Sequence, residues 1–172
     1  MTIGRPEASE YDPYYETYVS KVEGSGVVEE LEAQIEQVED ALANLDDEAA
    51  LFRYEPGKWS IKEMVGHLID TERVFAYRAL CIARGESESL PGMDHEAYLG
   101  NAASEARPIR ELVTELRHVR RSTVLLFQGL PTDTWRRVGV ANGVEISVRA
   151  LAFVIAGHLA HHLGVLRERY GL

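Results

Sequence analysis

The chain has 172 residues, 45% of them hydrophobic, enough for one sizeable core, so one domain spanning 1–172 is the expectation. Its formal charge of −10 argues against a general nucleic-acid surface, because phosphate binding needs a basic stripe. One cysteine, Cys81, excludes an internal disulfide and cysteine-rich zinc modules, while the absence of a run of about 18 apolar residues and the polar start MTIGRPEASE point to a cytoplasmic protein without a membrane span.

The amino-terminal stretch, about 1–26, carries Tyr11, Tyr14, Tyr15 and Tyr18. Aromatic rings bury large areas and keep a hydroxyl for hydrogen bonding, so an arm packed on the rest of the protein is expected, with a pocket lining as the alternative. A first helix is read over about 27 to 46 from Val28, Leu31, Ile35, Val38, Leu42 and Leu45, spaced alternately by three and four. At about two heptads it fits packing within a bundle better than an isolated coiled coil. The second helix starts at Ser60, which with Glu63 forms a capping-box pattern, and runs to Gly85.

From about Glu86 to Ala106 the sequence loses periodicity until Pro108 opens a third helix. A connection this long can cross the bundle and leave helices two and three parallel. The third helix takes its core stripe from Ile109, Leu112, Leu116, Val119, Leu126 and Phe127 and stops at Gly129. Arg117, Arg120 and Arg121 read as its solvated face. RRVGVANGVEIS suggests a short hairpin turning at Asn142-Gly143, with Ser147 capping a fourth helix that reaches Tyr170. The fold class is therefore all-α, a four-helix bundle with a long crossover between helices two and three.

The chemistry concentrates in histidines. His158 and His162 lie about 40° apart on one helix face, one turn from each other, which is a chelating arrangement. Leu151, Val154, Ile155 and Val165 fall on the same side, so the pair points into the core. Buried imidazoles need partners, and a metal ion would satisfy both at once; satisfied core histidines are the bland alternative. His67, inside GHLIDTE on helix two, can supply a third ligand. His161 sits at the edge of the stripe, at the rim of a pocket, beside a ligand or at an interface. His95 and His118 read as structural or solvated, and Cys81 as a packed thiol.

Other assignments are open. Asp70 lies about 60° around the helix from His67 and either orients its ring or is a solvated carboxylate. Arg78 faces inward about 16 Å further along the axis, too far to touch a metal at His67, and is expected to pair with a buried carboxylate. Glu72 is a candidate structural partner. No catalytic residue is assigned. Phe153 and Leu163 project roughly opposite the histidine stripe and mark a candidate homodimer face or a surface covered by the arm.

The runs KWSIKEMVGHLIDTERVFAYRAL and SVRALAFVIAGHLAHHLGVLRERY, with the LPGMD and NG segments between them, resemble the DinB-like metalloproteins over about residues 10 to 170. The resemblance implies a four-helix bundle with the crossover between helices two and three. It also implies a three-histidine site for zinc, nickel or another divalent ion, with His67, His158 and His162 at the ligand positions. Among the activities it implies are thiol-dependent transferases and isomerases using a low-molecular-weight thiol cosubstrate, alongside members with no known reaction. The expected function is a metal-dependent enzyme on a small-molecule substrate, a thiol-dependent S-transferase first and a hydrolase second. The competing class is a noncatalytic metal-binding or stress-associated interaction protein, whose site a fourth protein ligand would close.

Overall fold

The computed structural model describes residues 3–24 and 26–172. Its elements are α1 (Glu16–Val19), α2 (Val27–Leu42), α3 (Ile61–Ala83), α4 (His95–Asn101), α5 (Ile109–Gln128), β1 (Val138–Ala141), β2 (Val144–Ser147) and α6 (Val148–Tyr170), with short 3-10 turns between several of them. The four long helices α2, α3, α5 and α6 form the bundle.

Two apolar clusters at opposite ends of the bundle fix the helix directions. One gathers Val38 and Leu42 of α2, Ile61 to Ile69 of α3, Ile109 to Leu116 of α5 and Leu159 to Tyr170 of α6. The other takes the start of α2, the ends of α3 and α5, and the start of α6. Hence α3 runs parallel to α5, α2 runs parallel to α6, and the two pairs oppose each other. Residues 84–108 make the crossover that this topology requires.

Local chemistry sets most element boundaries. Ser60 Oγ accepts from Glu63 N–H and the Glu63 carboxylate accepts from Ser60 N–H, completing the capping box that starts α3. Ser147 Oγ accepts from Ala150 N–H at the start of α6. Asn142 and Gly143 both adopt positive φ, 56° and 78°, as a two-residue hairpin turn requires. The first bundle helix ends at Leu42, short of the expected 46, because the next carboxylates serve other turns. Asp46 accepts from Ala49 N–H, and Asp47 caps α5 from a distance by accepting from Ile109 N–H at 2.7 Å.

Several expectations are corrected. Gln34 is buried on α2 while Ile35 is only partly covered. Arg120 is 2% exposed, not solvated: its Nε and Nη2 donate to the two oxygens of Glu72 at 2.8 Å, and its Nη1 donates to Gln34. Gln34 in turn donates to Ala156 O, so the network ties α2, α3, α5 and α6 together. Arg117 and Arg121 are exposed as expected, facing Glu39 and Glu32. Phe153 and Leu163 are buried within the chain and offer no dimer face, because α6 is covered on all sides from Val148 to Leu159 and on the Leu163 side beyond it. That helix is long and apolar enough to cross a bilayer by composition, yet 72% of its most apolar stretch is buried against its neighbours.

The arm is packed as expected. Tyr11, Tyr15 and Val19 are buried, and Arg149 of α6 holds Glu10 in an ion pair that Ser147 Oγ also joins. Gly157 explains how closely the arm seats: a Cβ there would lie 2.0 Å from Tyr18 O. Gly66 on α3 has the same relation to the crossover, where a Cβ would meet Ser104 Oγ at 2.1 Å. Each glycine immediately precedes a histidine of interest, so each lets a chain segment close over the site.

Candidate metal centre

His67 from α3 and His158 and His162 from α6 meet in the core. His67 Nε2 lies 3.1 Å from His158 Nε2, and His162 Nε2 lies 3.2 Å from His158 Nε2. One ligand atom from each residue falls within 4.8 Å of the others. The i, i+4 spacing stacks the α6 pair on one face, and antiparallel packing brings α3 alongside. Among the described residues this is the one such grouping, and no fourth side chain joins it.

The electrostatics favour neutral rings. Burial pushes His67 down to about 4, with some repulsion from His95, and pushes His162 down to about 3, with His67 and His161 adding. His158 is depressed well below its ordinary range by burial and then by its histidine neighbours. Neutral imidazoles keep lone pairs for a ligand. Two of the three nitrogen separations, 3.1 and 3.2 Å, are close to the roughly 3.3 Å between ligands about 2.0 Å from a common ion, and all three ligand atoms lie within 4.8 Å of one another. The donor set therefore fits a divalent ion of zinc's type.

The surroundings orient these rings. Thr71 Oγ1, one turn beyond His67, lies 3.4 Å from His67 Nδ1. Thr71 thus takes the place expected for Asp70, which is near Arg73 instead. Its carboxyl is raised by burial. Trp59 stacks on His162 and tilts against His67, while Tyr18 and Phe75 meet His158 edge-on. His162 Nδ1 has no hydrogen-bond partner among the described residues.

Above the rings lies a cavity of about 390 Å³. Its walls come from sequence-distant segments: Tyr14, Tyr15 and Tyr18 of the arm, Met93 and His95 of the crossover, and Asn142 of the hairpin. The tyrosine arm is therefore both packing and pocket wall. His161 is at the rim, edge-on to Tyr18. His95 is exposed as expected, yet its ring faces His67 at 6.2 Å between centroids. The pocket lining offered by Tyr14, Tyr15 and Tyr18 is the alternative that the sequence left open for the arm, whereas the Asn142 contribution was not read from sequence. His118 stays on an exposed helix face, and Cys81 is partly covered beside Tyr77. Arg78 has no carboxylate partner among the described residues, against expectation, and donates to Pro91 O at 2.8 Å from the cavity wall.

The DinB superfamily profile matches residues 30–166. A protein of Oceanobacillus iheyensis, whose name proposes a metal-dependent hydrolase, is 24% identical over 142 residues, covering 81% of each chain. YfiT from Bacillus subtilis, described as a probable metal-dependent hydrolase with an unusual four-helix bundle topology, superposes with a TM-score of 0.71 at 18% identity, covering 96% of this chain and 93% of its own. At that identity the likeness to YfiT concerns the fold.

Proposed function

Because the chain belongs to the DinB superfamily and gathers three imidazole nitrogens beneath a cavity, we propose that it is a metal-dependent enzyme acting on a small molecule. His67, His158 and His162 would hold one divalent ion, zinc or nickel. Such an ion supplies Lewis acidity, lowering the proton affinity of a coordinated water or thiol, or polarising an electrophile. Were the Nε2 face of His67 given to the ion, its Nδ1 would carry the ring hydrogen and could donate it to Thr71 Oγ1. Trp59 and Phe75 shield the ligand rings from bulk water. The Tyr18 hydroxyl, pushed well up by burial and then by Tyr14, stays protonated and can donate to a bound substrate. His161 at the rim and His95 on the crossover are the imidazoles placed to exchange protons with solvent.

The observation that carries the reaction class is that no Asp or Glu is among the residues lining the cavity. With no carboxylate base nearby among the described residues, the bases at hand are the His161 and His95 imidazoles, and a divalent ion held by the three histidines would acidify a thiol more fully than a water. This supports transfer of a low-molecular-weight thiol onto an electrophilic small molecule. Hydrolysis is the second reading, favoured by the name of the Oceanobacillus relative. Elemental analysis of untagged protein, then assays of thiol conjugation to 1-chloro-2,4-dinitrobenzene and of p-nitrophenyl acetate cleavage, test both. Near-stoichiometric metal with thiol-dependent conjugation is expected. Ester cleavage indifferent to thiol would shift the assignment to hydrolysis, and a folded protein that takes up no divalent ion would end the proposal.

A further inference from the structure

Three arginines are less than one-tenth exposed: Arg78, Arg120 and Arg149. Arg120 has Glu72 and Arg149 has Glu10. Arg78, 4% exposed, has no carboxylate within ion-pair distance among the described residues. Its Nη2 donates to Pro91 O at 2.8 Å, its guanidinium lies 5.5 Å from the Phe75 ring centre, and its Nε has no partner. A carbonyl, the neighbouring Tyr15 hydroxyl and a ring face satisfy hydrogens and solvate a cation weakly, but none carries a countercharge. Arginine stays charged when buried, so a lone guanidinium in the core is costly unless something neutralises it.

Its position says what that something is. Arg78 forms part of the same cavity wall as the three histidines, and its side chain leans back along α3 toward them. The chain has 28 Asp and Glu, yet among the described residues none lines this cavity. An acidic protein has thus kept one pocket clear of negative charge and placed an unneutralised cation in its wall. Asn142, whose amide can also donate, lines the same space.

We propose that Arg78 is the anion-recognising end of the cavity, and that the substrate is a small molecule bearing a carboxylate that pairs with this guanidinium while its reacting atom lies toward the histidines. The proposal rests on the reading that the cavity receives a small-molecule substrate. About 16 Å of helix separates the backbones of His67 and Arg78, so the carboxylate sits at the end of a spacer of several bonds. Arg78 is a specificity-determining residue in this scheme, remote from the reacting atoms.

The test measures binding rather than turnover. Phenylacetate, 4-phenylbutyrate and 6-phenylhexanoate are titrated against their amides by calorimetry and Trp59-reported fluorescence, in metal-loaded and in chelator-treated protein. At least one acid is expected to bind about tenfold or more tightly than its amide in both states, as a charged hydrogen-bonded pair requires. Arg78→Met should erase that preference while leaving metal content and helicity unchanged. The proposal is overturned if no acid outbinds its amide, if the preference survives in folded Arg78→Met, or if it appears only with metal bound. If Arg78→Met does not fold, Arg78→Lys decides: a weakened preference supports the guanidinium fork, and an unchanged one overturns it. Elemental analysis reports the metal reading separately: a folded protein that takes up no divalent ion would sink that reading whatever the acid preference.

Discussion

Two polar groups share the core of this bundle and are built on opposite principles. Glu72, Gln34 and Arg120 form a closed network, with both carboxylate oxygens, the amide and the guanidinium paired across four helices. Five residues before Glu72, and two residues after the Ala156 carbonyl that Gln34 reaches, the three histidines face one another instead. They leave His162 Nδ1 unpartnered and open onto a cavity. A satisfied buried network rigidifies a core, whereas convergent donors of one type with no complement mark a place for something else. The first group holds the helices in register so that the second can converge.

The contrast can be broken most sharply at the histidines. A His158→Ala, His162→Ala double variant should lose essentially all bound divalent ion while its chelator-treated unfolding midpoint stays close to that of wild type, read by elemental analysis and urea titration. The closed network should behave the other way. Arg120→Met leaves Glu72 buried without its partner and should cost about 3–5 kcal/mol in the same titration. A paired Arg120→Met, Glu72→Leu variant should recover most of it, and failure to recover would mean that the network does more than satisfy itself.

Gly157→Ala probes the arm that roofs the histidines. A Cβ 2.0 Å from Tyr18 O must displace backbone, so a loss of about 1–3 kcal/mol is expected, with increased proteolysis near Tyr18. A neutral result would mean that the arm is not seated as described. The smallest effect belongs to the Glu10–Arg149 pair that anchors the arm. Burial opposes ionisation of Glu10, but hydrogen bonds from Arg149 and Ser147 outweigh it and hold the carboxyl down at about 2, against 4.5 for the free group. Because the folded value is depressed, the pair's stabilisation is full above about pH 4.5 and fades as pH falls toward 2. For a pair at a partly solvated edge about 1 kcal/mol is expected. Glu10→Gln should flatten that part of the wild-type stability profile between those pH values.

Much of this was legible in the chain because it is local. The Ser60–Glu63 and Ser147 caps, the Asn142-Gly143 turn and the inward face of His158 and His162 each depend on residues within four positions of one another. The parallel α3–α5 pair followed from the length of the connection between them. What stayed hidden depends on distant residues. Arg120 looks solvent-facing until Glu72, 48 residues away, is placed beside it. Arg78 looks like half of an ion pair until no carboxylate arrives. Thr71 rather than Asp70 meets His67, because a residue one turn on from a ligand, at i+4, stands over its ring while i+3 lies further around. The burial of Phe153 and Leu163 did carry a signal: from Val148 to Leu159 apolar residues surround the helix on all sides, the mark of a central helix without a surface face.

The route of the chain also has a consequence for its synthesis. His67 and His158 are 91 residues apart, and the arm that roofs them is made before both, while the helix carrying the other two rings is made after His67. During translation Tyr18 emerges with nothing to cover, and His67 with no partner rings. The site therefore cannot exist in a nascent chain or in any product truncated before α6. A product truncated before α6 loses both the docking partner of the arm and two of the three rings in one event.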